Sequence, residues 1–120
     1  MFARLDTSKE RLQKTILLRE KPALTVTSGP RAGQVFRLSH TSATSIGRAR
    51  ANDIVLDDVA VSSQHCRVRL EDEQFVVHDL DSTNGTRVND RRVTRHVLSE
   101  GDVIQVGETR LEFRTEQRRF

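Results

Sequence analysis

Arg48, Ser62, Ser63, Thr83 and Asn84 are the residues of this 120-residue chain best suited to hold a multiply charged anion. They fall in three short polar motifs: Gly47-Arg48, Ser62-Ser63-Gln64-His65 and Ser82-Thr83-Asn84-Gly85-Thr86. A phosphorylated side chain carries about −1.5 to −2 charge and three strong acceptor oxygens, so a site for one needs a cation and several neutral donors. Arg48 offers the cation, as a planar fork able to make two parallel hydrogen bonds that a lysine cannot reproduce. Ser62 and Thr83 bring hydroxyl donors, and Ser63 adds a hydroxyl or its backbone N–H. Asn84 both donates and accepts, which suits it to hold an extended peptide backbone in register. His65, three residues after Ser62, invites a catalytic or metal role. However, no Gly-x-Ser-x-Gly elbow or activating partner accompanies the pair, and no second ligand lies near it in sequence. The expectation is a structural hydrogen-bonding histidine, with no catalytic residue, no metal site and no cofactor. Cys66 is the only cysteine, too few thiols for a disulfide or a structural zinc site, and is expected in the core.

These motifs lie between short runs of β character separated by turn residues every 8 to 12 positions, the pattern of a sandwich or barrel. The expected runs are 23–27, 34–38, 44–48, 53–56, 65–70, 74–79, 102–107 and 109–115, with a turn over Gly29-Pro30-Arg31-Ala32-Gly33. Cys66, Val68 and Leu70 alternate with Arg67, Arg69 and Glu71, which predicts one buried and one wet face. Asn84-Gly85 also reads as a type I′ hairpin turn, and Asp57-Asp58 and Glu71-Asp72-Glu73 read as solvated turns. Over residues 6–20, Leu12, Ile16 and Arg19 recur at helical spacing and Thr7 with Glu10 forms a possible capping box. Pro22 then marks a boundary before the first strand.

Charge restricts the partners. Residues 1–22 hold six basic against three acidic residues, a surplus of +3, and residues 114–120 add +2. Residues 23–113 are left at −2 of the chain's +3. A slightly acidic body without Trp or Tyr argues against a broad nucleic-acid face, and any positive site there must be local. No stretch approaches the roughly 20 apolar residues of a membrane span. The expectation is a soluble, cytoplasmic protein with no membrane partner.

The Gly-Arg, Ser-x-x-His and Asn-Gly signatures, in this order and spacing and followed by Gly101-Asp102, closely resemble the forkhead-associated (FHA) family over about residues 23–115. The resemblance implies an all-β sandwich of two antiparallel-rich sheets with about 11 short strands, flanked by an N-terminal basic extension (1–22), helical or flexible, and a C-terminal tail (116–120). It implies a non-catalytic reader of phosphothreonine segments in kinase signalling, whose partner is a phosphorylated substrate or an autophosphorylated kinase. On it, Arg48, Ser62, Ser63 and Thr83 match phosphate contacts and Asn84 the peptide-backbone contact. Gly47, His65 and Gly85 match structural positions. Ser63 departs from the basic residue that many members place after the motif serine. Ala60 stands where some relatives use a basic residue to select an acid three positions after the phosphothreonine, so the expected preference there is apolar or absent. Thr15, with Leu18 at plus three, is a candidate regulatory phosphosite for the chain's own pocket, against the alternative of a helix packing through Leu12 and Ile16. Phosphorylation-independent interaction and nucleic-acid binding through the basic ends are the alternative functions.

Overall fold

A computed structural model describes residues 21–116; Thr15, the helix expected over 6–20 and residues 117–120 lie outside them. The described chain is all-β. Its strands are β1 (Lys21–Ser28), β2 (Val35–Arg37), β3 (Thr44–Gly47), β4 (Ile54–Val55), β5 (Cys66–Glu71) and β6 (Gln74–Asp79), then β7 (Thr86–Val88), β8 (Arg91–Val93), β9 (Arg95–Val97), β10 (Val103–Val106) and β11 (Thr109–Glu116). They form a six-stranded sheet, β2-β1-β11-β10-β7-β8, and a five-stranded sheet, β4-β3-β5-β6-β9. Only β3–β4 pairs in parallel among the ladders of the described residues. No helix long and apolar enough to cross a membrane occurs among those residues.

Period-two alternation builds the core, because successive strand residues face opposite sides of a sheet. Leu24 and Val26, Ile104 and Val106, and Leu111 and Phe113 point inward from the larger sheet. They meet Ile46, Cys66, Val68, Phe75 and Val77 from the smaller one. Cys66 is fully buried, as expected, and removal from water pushes its thiol up to about 12.

Three local expectations are corrected. Pro22 is not outside the first strand: β1 starts at Lys21, and Pro22 is buried opposite Thr115 with its carbonyl accepting from Leu38 N–H. Proline is tolerated near a strand's first residue, where a missing N–H breaks no interior ladder bond. The two-residue hairpins with both central residues at positive φ, the type I′ pattern, are Asp72-Glu73 and Asn89-Asp90. Gly85 has positive φ but Asn84 does not, so Asn84-Gly85 is not a type I′ turn. Asp58, expected only as a solvated turn residue, is partly exposed but has its carboxylate committed to two backbone N–H groups.

Candidate functional site

The register Ile46–Cys66–Asp79 across β3, β5 and β6 puts the end of β3, the start of β5 and the end of β6 on one row of the smaller sheet. The connections that leave there are the three polar motifs. Residues far apart in sequence therefore converge at one end of the sandwich.

Backbone hydrogen bonds fasten the first two loops together. Arg48 N–H donates to the Ser62 carbonyl at 2.9 Å and Ala49 N–H to the Ser63 carbonyl at 3.2 Å. This approach needs a glycine at 47, where a Cβ would stand 2.3 Å from the Ser63 carbonyl oxygen. Asn52 reinforces the joint: its Nδ2 donates to the Ala49 and Ser63 carbonyls at 2.8 and 2.7 Å. The guanidinium of Arg48 is exposed and has no partner among the described residues.

Ser62 joins the second loop to the third. Its Oγ accepts from Thr83 N–H at 3.0 Å and lies 3.5 Å from Thr83 Oγ1. His65, fully buried, makes a second link. Its Nδ1 accepts from Ser62 N–H at 3.1 Å, so Nε2 carries the proton and donates to the Gly85 carbonyl at 2.9 Å. Both ring nitrogens are thereby spent on backbone groups, and His65 is not free to act as a base or ligand. Asn84 makes a third link, its Nδ2 donating to the Ala60 carbonyl at 2.8 Å. Its Oδ1 has no partner among the described residues.

Two carboxylates hold the loops from behind. Asp79 accepts from Ser82 Oγ, Ser82 N–H and Thr86 Oγ1, and Ser82 Oγ accepts in turn from Gly85 N–H. Asp58 accepts from Ala60 N–H at 2.8 Å and Glu108 N–H at 2.9 Å, tying the loop before Ser62 to the β10–β11 turn.

The expected residues Arg48, Ser62, Ser63, Thr83 and Asn84 thus stand on three joined loops, with Gly47, His65 and Gly85 at the joints. Asn52, Asp58 and Asp79 hold the loops in position, a role that the sequence by itself did not assign to them. Asp79 had a local signal, since an acid three residues before a serine often accepts its backbone N–H. Asn52 had none, because its partner lies 11 residues on.

Carboxylates so held make stability fall in acid. The Asp58 carboxyl is kept below its ordinary 3.8 by the backbone N–H groups of Glu108 and Ala60. Burial alone would raise Asp79, but the Ser82 and Thr86 donors outweigh it; the same holds for Asp102, through Ser99 N–H, Asn89 and His96. A carboxyl lowered on folding stabilises the fold fully above its unfolded value, and that share is lost as pH falls through the folded value. The melting temperature is therefore expected to stay level from about pH 7 to 5 and to fall below about pH 4. Thermal melts should show a smaller drop for Asp79→Asn than for the unaltered chain. An equal drop would remove Asp79 from this account.

The described residues thus form an eleven-stranded sandwich with an arginine that has no side-chain partner among them, hydroxyls and an amide gathered on joined loops at one end, where a rigid scaffold can position binding groups. This chain belongs to the FHA family: the model of the FHA domain matches residues 44–107. It is 48% identical over 92 residues to the glycogen accumulation regulator GarA of Mycobacterium tuberculosis, covering 77% of this chain and 56% of the relative. To an oxoglutarate dehydrogenase inhibitor of Corynebacterium diphtheriae it is 46% identical over 90 residues, covering 75% and 62%. The chain thus spans little more than half the length of these curated relatives. A solved FHA domain from a study of phosphothreonine-dependent FHA domain interactions superposes with a TM-score of 0.73 at 31% identity, covering 82% of this chain and 99% of that one.

Proposed function

We propose that this chain binds phosphothreonine segments of partner proteins and regulates those partners by binding alone. The observation that carries the reading is the Arg48 guanidinium, without a partner among the described residues, on a loop whose backbone is bonded to Ser62, the residue that in turn holds Thr83. Arg48 forks onto the phosphate, and Ser62, Ser63 and Thr83 supply the remaining donors. Asn84, steadied on Ala60 through its Nδ2, presents its Oδ1 to a backbone N–H of the ligand. The folded module runs over the strands 21–116, with the basic extension before it as a separate unit. The partner class is a phosphorylated substrate or an autophosphorylated kinase, and Thr15 is a candidate ligand in cis or in a second copy. The dehydrogenase inhibitor among the relatives supports regulation of an enzyme by docking.

Next to Ala60, Val59 is 92% exposed on a groove of about 440 Å³ that is lined also by Pro30 and Leu56 and by the charged Arg31, Asp57, Asp58 and Glu108. The exposed Val59 beside the uncharged Ala60 supports an apolar residue three positions after the phosphothreonine.

An oriented peptide library, read with phosphoserine and unmodified controls, tests the reading. Phosphothreonine is expected to bind tightest. Burial of the extra methyl contributes about 0.8 kcal/mol, roughly fourfold in affinity. Calorimetry giving equal affinities for matched phosphothreonine and phosphoserine peptides would count against selection of threonine by its methyl. Binding that survives phosphatase treatment of the ligand would overturn phosphate recognition altogether.

A further inference from the structure

The outward face of the six-stranded sheet carries arginines in a single row. The register sets Arg92 opposite Arg87, Arg87 opposite Gln105, and Gln105 opposite Arg110, across β8, β7, β10 and β11. Thr86 and Val88 are buried, so Arg87 and Arg92 face outward, and both are exposed, as is Arg110. Like charges directly opposite each other destabilise a strand pair. Even so, none of these three guanidiniums has an ion-pair partner among the described residues. Arg114, on the same face, shows the contrasting arrangement, paired with Glu112 and Glu100.

The row begins at the binding loops. A Cβ on Gly85 would stand 2.5 Å from Arg92 Nε, so the Arg92 side chain lies over the residue that follows Asn84. Four strands about 4.8 Å apart make the row about 14 Å long, the length of about four extended residues. Ser63 and Gln64 bring no charge to the pocket, so its flanking cations are Arg50, exposed on the Arg48 loop, and Arg92, beside Gly85 at the start of the row.

We infer that Arg92, Arg87 and Arg110 form a subsite for an acidic segment contiguous with the phosphothreonine, each guanidinium taking an Asp or Glu carboxylate of the partner. The subsite rests on the phosphothreonine reading and adds to it a class of partner: phosphorylated segments flanked by a run of acids.

The test uses two phosphothreonine peptides, one with neutral flanks and one with four acids on either side, titrated by calorimetry at two salt concentrations. The acidic flanks are expected to tighten binding about three- to tenfold at low salt, as exposed ion pairs do, with the gain shrinking at high salt. In Arg87→Gln/Arg92→Gln the ratio of the two affinities is expected to fall to near one. Arg69→Gln/Arg95→Gln, which removes the same charge from the other sheet, is expected to keep the ratio. Neutral-flank binding with no acidic gain, or a gain that persists in Arg87→Gln/Arg92→Gln, overturns the subsite and leaves the phosphothreonine reading intact. Failure of both phosphopeptides to bind overturns both. Row-dependent binding of a duplex oligonucleotide without any acidic-flank gain would reassign the row to nucleic acid.

Discussion

Replacing Arg48 by alanine is expected to lower phosphopeptide affinity at least tenfold while leaving the melting temperature nearly unchanged. Each hydrogen bond to a charged group is worth about 1.5–3 kcal/mol, and 1.4 kcal/mol is a factor of ten in Kd. Two parallel bonds from one guanidinium set tenfold as the lower bound. Stability should not follow, because the side chain is exposed and has no partner among the described residues, and surface changes of this kind stay within about 0.5 kcal/mol. Arg48→Lys sharpens the test. It keeps the charge but loses the planar fork, so most of the affinity loss should persist. Calorimetry with one phosphothreonine peptide, paired with a thermal melt, reads both quantities. Wild-type affinity in Arg48→Ala would show that the phosphate lies elsewhere.

His65→Ala should do the reverse, acting first on the fold. The ring is fully buried and bridges Ser62 N–H to the Gly85 carbonyl. Its removal leaves both backbone groups unpaired in the interior, at about 1–3 kcal/mol each, in addition to the cavity. A loss of about 3 kcal/mol corresponds to a drop of at least about 12 °C in Tm for a domain near 100 residues. Affinity should fall too, measured well below the new Tm, because the link between the second and third loops is cut. The Asn84 and Ser62 bonds remain to hold those loops, so binding should weaken without disappearing. A Tm within about 2 °C of wild type would mean that water replaces the imidazole and that the bridge contributes little.

These two residues mark where a reading of the chain alone succeeds and where it stops. Motif spacing placed Arg48, Ser62, Thr83 and Asn84 between strands and cast His65 as structural, because residue type limits what each can donate, accept or charge. Alternation over Cys66–Glu71 was legible for a similar reason: a strand of six residues carries its own period. The three-residue strands β7, β8 and β9 were not among the expected runs. Turn chemistry misled at Asn84-Gly85, where the left-handed pair sits instead at Asn89-Asp90. Asn84 has its amide committed to Ala60, 24 residues earlier. That contact, the Asn52 clasp on Ser63 and the arginine row from β8 to β11 join residues distant in sequence. Amino-acid order settled which groups were available and which short segments would extend. Only strand register and the packing of one sheet on the other decided which of those groups meet, because hydrogen bonds between loops depend on positions that no local period encodes.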